Sequence, residues 1–315
     1  MGSQKHLAFV FPGQGSQAVG MLAKLAAADP VVEQTFAEAS ARLGYDLWQI
    51  VRQGPEEELN RTAVTQPALL AAGVAAWRAW RERAGAEPAL LAGHSLGEYT
   101  ALVCAGSIAF ADAVKLVEDR GRAMQSAVPE GNGLMAAILG LDNEQVQMIC
   151  REAAEGQVVT PANYNAPGQI VIAGATDAVT RAIGLAREMG AKRAIPLSVS
   201  VPSHCALMRE AAAVFAARIE DVRFRNAAIP VIQNVDAVAR KRSADIKAAL
   251  VRQLHEPVLW VDVIQKMKKE GVTTVIESGP GKVLCGLIRR SDRDLKVLAI
   301  NDGPSLEAAL QEART

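Results

Sequence analysis

The sequence has no charge surplus, few cysteines and no long apolar run. Lys plus Arg and Asp plus Glu both total 34, so the formal net charge at pH 7 is zero. That balance argues against a dedicated nucleic-acid binder, whose phosphate contacts need a basic surplus. It leaves room for a local basic patch facing an acidic partner. The four cysteines, Cys104, Cys150, Cys205 and Cys285, are scattered and form no C-x-x-C pair. A zinc knuckle and a dithiol redox motif are therefore excluded. A disulfide framework does not fit this density, which points to a reducing, cytoplasmic setting. The longest apolar run, Ala68 to Trp77, stops at Arg78 and is too short to span a bilayer, so no membrane is expected. Met1 to His6 lacks the apolar core of a secretory signal.

Half of the residues are hydrophobic, which excludes intrinsic disorder and supplies a sizeable core. A chain of 315 residues suggests two domains, or one large α/β domain with an insertion. Leu7 to Phe11 reads as a buried strand running into Pro12-Gly13-Gln14-Gly15-Ser16-Gln17, with His6 just ahead of it. Thr65 to Arg83 reads as a helix that is apolar nearly all round, hence buried. Pro88 to Ala92 reads as a strand, followed by Gly93-His94-Ser95-Leu96-Gly97 and two helices, Glu98 to Cys104 and Phe110 to Met124. This alternation predicts an α/β layer fold with a mostly parallel sheet. From about 128 to 200 the rhythm changes. Strands are expected at Leu134–Leu141, Val158–Asn163, Gln169–Ala173 and Arg193–Val199, with helices at Asn143–Glu155 and Ala178–Met189. The order βαββαβ is that of a ferredoxin-like split βαβ unit, here an insert in the α/β body. The body resumes with a helix near Ala206–Glu220 and strands near Pro230–Val235 and Val272–Ile276.

The strongest chemical signal is Gly93-His94-Ser95-Leu96-Gly97, a G-x-S-x-G nucleophile elbow. A serine at a sharp strand-to-helix turn projects its hydroxyl off the sheet edge. The helix N-terminus then offers backbone amides to a developing oxyanion. A serine nucleophile needs a base. His94 adjoins Ser95 in sequence and so points away from where a base must sit. His204, in a loop after Val201-Pro202-Ser203, and His255, at a helix end before Pro257, remain as candidates. No aspartate stands out as a third triad member. Gly13-Gln14-Gly15-Ser16-Gln17-Ala18 fits G-x-G-x-x-A after a strand, but no acid closes a second strand about 20 residues on, so it reads as a donor loop beside the elbow. Gly279-Pro280-Gly281-Lys282 reads as a turn opening the last helix. Arg120 and Arg122 fit either a helix C-terminus stabilised by cations or a clamp for a substrate carboxylate.

Pro12 to Gln17, Gly93-His94-Ser95-Leu96-Gly97-Glu98-Tyr99, Arg120, Val201-Pro202-Ser203-His204 and Asn234-Val235-Asp236, in this order and spacing, are specific together. The chain resembles the stand-alone bacterial malonyl-CoA:acyl-carrier-protein transacylases from Leu7 to about Ile300. The resemblance implies an α/β-hydrolase-like parallel-sheet body (residues 1–127 and 201–315) with an inserted ferredoxin-like subdomain (128–200). It implies Ser95 as nucleophile and His204 as base, the histidine oriented by a main-chain carbonyl near Gln253. It implies an oxyanion hole from the amides of Gln14 and Leu96, and Arg120 on the free carboxylate of malonate. Malonyl-CoA and acyl carrier protein are the implied partners, in fatty-acid synthesis, with no cofactor and no metal. Leu96 and Ser203 resemble the pattern of malonyl users rather than methylmalonyl users. A free-standing monomer is expected.

Three other readings share these signals. An esterase or lipase has the same elbow, but its histidine comes late and after an acid, for which only His255-Glu256 is available. A carrier-binding module could keep the elbow as scaffold. A malonyl-transfer subunit of a decarboxylase complex would use another carrier. For docking an acidic carrier, the basic candidates are Lys192 with Arg193, Arg240-Lys241-Arg242, Lys266 with Lys268 and Lys269, and Arg289 with Arg290.

Overall fold

The computed structural model describes residues 4–197 and 201–313. Two sheets organise the chain. The larger is built from β1 (Gln4–Phe11), β2 (Pro88–Gly93), β7 (Val231–Ile232), β8 (Ala239–Arg240), β9 (Thr274–Ser278) and β10 (Lys296–Ile300), in the order β10-β9-β1-β2-β7-β8. All its pairings are parallel except β7 with β8. The smaller sheet is antiparallel, from β3 (Gly133–Leu139), β4 (Val159–Ala166), β5 (Gln169–Ala175) and β6 (Arg193–Pro196), in the order β4-β5-β3-β6.

The run Leu7 to Phe11 is fully buried, because β1 lies mid-sheet between two helical layers. Side chains alternate between the layers. Leu7, Phe9 and Phe11 face the helix Thr62–Glu82, where Phe9 meets Trp77 and Trp80 edge-on at 5.0 and 5.1 Å. Ala8 and Val10 face the helices Trp260–Lys269 and Val283–Ser291. The helix Thr62–Glu82 is buried nearly all round, as its composition predicts.

The smaller sheet has two unlike faces. Ile138, Ile170 and Ile172 pack under the helices Asn143–Ala154 and Thr176–Glu188 in a core of their own. Met135, Val171 and Ala173 face the other way and meet Cys205 of the body. Strand β4 is stitched to the body: the Tyr164 amide donates to Val258 O and the Val258 amide to Ala162 O, each at 2.9 Å. One wall of a cleft is thereby fixed over the larger sheet.

Several expectations shift in detail. His6 lies inside β1, because its peptide pairs on toward β9 through the Thr273 amide. The expected strand Arg193–Val199 is β6, ending at Pro196, and its former end falls outside the described residues. Pro230–Val235 shortens to two residues, because the chain turns at Ala237, whose amide donates to Gln233 O. Gly279–Lys282 opens the helix Val283–Ser291, which is not the last: β10 and the helix Gly303–Glu312 follow. Among the described residues no helix is long and apolar enough to cross a membrane.

The register pairs Phe11 with Gly93, so β1 and β2 end side by side and release their loops together. There backbone packs on backbone. A Cβ on Gly93 would lie 1.8 Å from the Gly97 carbonyl carbon. Gly93→Ala is therefore expected to cost about 3 kcal/mol or more. Gly286→Ala, in a helix where a Cβ meets nothing within 4 Å, should gain about 0.5–1 kcal/mol. Urea unfolding of both variants checks the pair, and equal effects would show that the elbow is not tightly packed.

Candidate active site

The elbow places Ser95 between β2 and the helix Gly97–Cys104 with φ +51°, in the left-handed region. Such a conformation costs on the order of 1–3 kcal/mol and must be held by its surroundings. Two side chains hold it. Asn234 Nδ2 donates to Gly93 O at 2.7 Å, and the Ser95 amide donates to Asn234 Oδ1 at 2.7 Å. Gln253 Nε2 donates to Ser95 O at 3.0 Å. Asn234 is itself fixed by its amide, which donates to Glu98 Oε2 at 2.8 Å.

The Ser95 hydroxyl meets His204 Nε2 at 2.7 Å, and His204 Nδ1 meets the main-chain oxygen of Gln253 at 2.7 Å. A carbonyl only accepts, so Nδ1 carries the ring proton and Nε2 is free to take the serine proton. The ring is 3% exposed. Burial, then the nearby Arg120 cation, holds its pKa down to about 3. His204 also has a positive φ, +63°, and its amide donates to Leu254 O at 3.0 Å. His255 follows the helix Ser243–Gln253 and does not line the cleft. His94 does line it, but Nε2 is occupied by Asn165 Oδ1 at 2.8 Å and burial lowers its pKa.

Ser95 donates its amide to Asn234, so that group is not available to an oxyanion. The Leu96 amide, at the head of the elbow helix, and the Gln14 amide, in the loop after β1, have no hydrogen-bond partner among the described residues. The two loops touch: a Cβ on Gly13 would lie 2.3 Å from His94 O. Arg120 is 1% exposed, on the inner face of the helix Phe110–Ala127. Its Nη2 lies 3.4 Å from Ser95 Oγ. Arg122 points outward to Glu118 at 2.6 Å. The cleft above, about 160 Å³ in volume, has Arg120, Ser95 and His204 on one side and Met135, Val171 and Leu197 on the other. A serine hydroxyl, a neutral imidazole, free amides and a buried cation converge there.

An acyl transferase domain family matches residues 8–302. The malonyl CoA-acyl carrier protein transacylase of Salmonella typhimurium is 57% identical over 305 residues, which is 97% of this chain and 99% of that protein. The chain belongs to this transacylase family. Solved relatives have the same fold. An acyl carrier protein S-malonyltransferase from Vibrio cholerae is 58% identical with a TM-score of 0.94, over 96% of this chain and 99% of that one. A type II PKS acyl-carrier protein in complex with its malonyl-transacylase supplies another, 56% identical with a TM-score of 0.96, over 98% and 99%.

In this family member the residues singled out from sequence, Ser95, His204, Gln14, Leu96, Arg120 and Gln253, all come together. Others carried weaker signals. Asn234 stood in a motif without a role, and Glu98 followed the elbow in the same way. Gln66 gave only its polarity inside an apolar helix, yet its Oε1 accepts from Arg120 Nη1 at 2.9 Å.

The lowered pKa of His204 has a readable consequence. As pH falls, an unfolded histidine takes its proton near 6.5, whereas the folded one waits until about 3. This residue therefore makes the fold progressively less stable between those values. Labelling of Ser95 by a fluorophosphonate should accordingly show no histidine inflection near pH 6.5. An inflection there would mean that the ring is not held neutral.

Proposed function

We propose that the chain is an [acyl-carrier-protein] S-malonyltransferase, moving malonyl from malonyl-CoA to the phosphopantetheine thiol of acyl carrier protein and so supplying fatty-acid synthesis. The observation that carries this reading is the buried Arg120 guanidinium 3.4 Å from a serine already bonded to a neutral histidine. In it Ser95 Oγ attacks the thioester carbonyl while His204 Nε2 takes its proton. The tetrahedral oxyanion accepts from the Leu96 and Gln14 amides, each such donor being worth on the order of 3 kcal/mol of barrier. Collapse expels the CoA sulfur, which takes the proton from His204 and leaves a malonyl-serine ester. The carrier thiol then gives its proton to His204 as its sulfur attacks the ester carbonyl; collapse breaks the bond to Ser95 Oγ, which takes the proton back from His204, and malonyl is left on the carrier sulfur. Arg120 holds the distal carboxylate throughout. The cycle balances with malonyl-CoA as substrate and free CoA as product, and calls for no cofactor or metal.

The fold proposed with it is an α/β-hydrolase-like body over 1–127 and 201–315 carrying a ferredoxin-like insert over 128–200. Its support is the strand order of the smaller sheet, which in that segment's own count runs 2-3-1-4. A cytoplasmic monomer that binds neither nucleic acid nor membrane completes the reading. For the carrier dock, Lys192 and Arg193 are the favoured cations. They are exposed beside the exposed Ile195, next to Leu197 of the cleft, and form no ion pair with a described residue. Arg240, Arg242, Lys266 and Lys268 are each paired with acids.

Intact mass after malonyl-CoA should show a malonyl adduct that discharges on adding holo carrier protein. Ser95→Ala should abolish the adduct, and its persistence would remove Ser95 as nucleophile. Arg120→Ala should lower malonyl transfer about 100-fold more than acetyl transfer. Equal losses would sink the clamp.

A further inference from the structure

Arg120 is a buried cation whose immediate acceptors are both amides. Nη1 donates to Gln66 Oε1 at 2.9 Å, and Nη2 to Gln253 Oε1 at 2.9 Å. Gln66 and Gln253 are themselves at most 1% exposed. Neither amide is free to flip. Gln253 Nε2 donates to Ser95 O, and Gln66 Nε2 points at Met124 Sδ at 3.6 Å. Both of those groups accept hydrogen bonds, so each oxygen is left facing the guanidinium. Arg120 forms no ion pair with a described residue, although carboxylates are the usual partners of a buried arginine. Its remaining neighbours fit the same pattern. The Tyr99 ring lies under it at 5.3 Å, and the Ser95 hydroxyl beside it is neutral. Glu98 is buried in the elbow helix, and burial pushes its carboxyl up to about 8, toward its neutral form.

We infer that Gln66 and Gln253 are specificity-determining positioning residues: two neutral acceptors that aim Arg120 while leaving its charge uncompensated for an anionic acyl chain. An amide and a carboxylate offer the same oxygen at the same reach. Only the carboxylate would cancel the charge that a malonyl carboxylate has to meet. The choice of glutamine over glutamate therefore sets the acyl preference, not merely the geometry. This rests on the malonyl transfer proposed above.

Gln66 gives the cleaner test, because it touches neither Ser95 nor His204. The ratio of malonyl to acetyl loading of Ser95 is measured by intact mass for wild type, Gln66→Glu and Gln66→Met, with the thermal midpoint of each. Gln66→Glu places a carboxylate on Arg120 and should lower the ratio about 100-fold, chiefly through a raised KM for malonyl-CoA. Gln66→Met loses an acceptor without adding charge and should lower it about tenfold or less. A role that is only structural predicts equal losses for the two variants and for both acyl groups, and that result overturns the inference. If Gln66→Glu fails to fold, Gln253→Glu is compared with Gln253→Met, both variants losing alike the Nε2 bond to Ser95 O while the His204 contact keeps its main-chain oxygen. Failure of wild type to load malonyl at all would instead overturn the function proposed above. A wild type that loads malonyl, with a glutamate variant of unchanged ratio, overturns only the charge argument.

Discussion

Everything at this site depends on backbone packing directly against backbone where β1 and β2 end. A Cβ on Gly97 would sit 2.0 Å from Phe11 O, much as one on Gly93 would strike Gly97. Without side chains between them, the two loops bring Gln14 and Leu96 to one cleft. The same contact forces Ser95 into the left-handed region, where a non-glycine residue is strained. Each hydrogen bond from Asn234 and Gln253 contributes only about 1 kcal/mol net. Together they match the strain, and they do so with side chains brought from the turn after β7 and from the helix ending at Gln253. Ser95 is thus held at the cleft by distant parts of the chain.

That dependence explains what could be read in advance. The elbow is a local event: strand, glycine, serine, glycine and helix follow one another, and their spacing alone implies the turn. The strand–helix alternation and the βαββαβ rhythm are likewise written in consecutive residues. The partners of the elbow are not local. Gln66 lies 54 residues from Arg120, and Asn234 lies 139 from Ser95. No periodicity marks a lone buried amide, so their roles emerge only when the sheet order sets β7 beside β2. Element ends fail for a related reason. The segment Pro230–Val235 has strand-forming residues, but a tertiary turn at Ala237 ends the pairing early. For Arg120 and Arg122, helical periodicity two residues apart assigns opposite faces, but which face is inward is a property of the packing.

The cleft also shows why two sheets are needed. The parallel sheet presents the reacting groups at its carboxyl edge but leaves them open to water. The antiparallel sheet spends one face on its own core and offers the other, with Met135 and Val171, as an apolar wall. Asn165 from the same wall reaches across to His94, so the roof is tied to the elbow it covers. An apolar wall lowers the local dielectric, which strengthens every charge and dipole inside.

In such surroundings the protonation pattern is as much a structural feature as the fold. His204 is driven neutral, and Glu98 is driven toward its neutral form by the same burial. Arginine alone resists, because its guanidinium does not deprotonate in proteins. One environment therefore removes charge from His204 and from Glu98 while leaving Arg120 as a fixed cation beside Ser95. A lysine in that place would be exposed to the same pressure and could lose its proton. Burial that holds His204 neutral thus also favours arginine at the neighbouring position, and the two properties of the site have one cause.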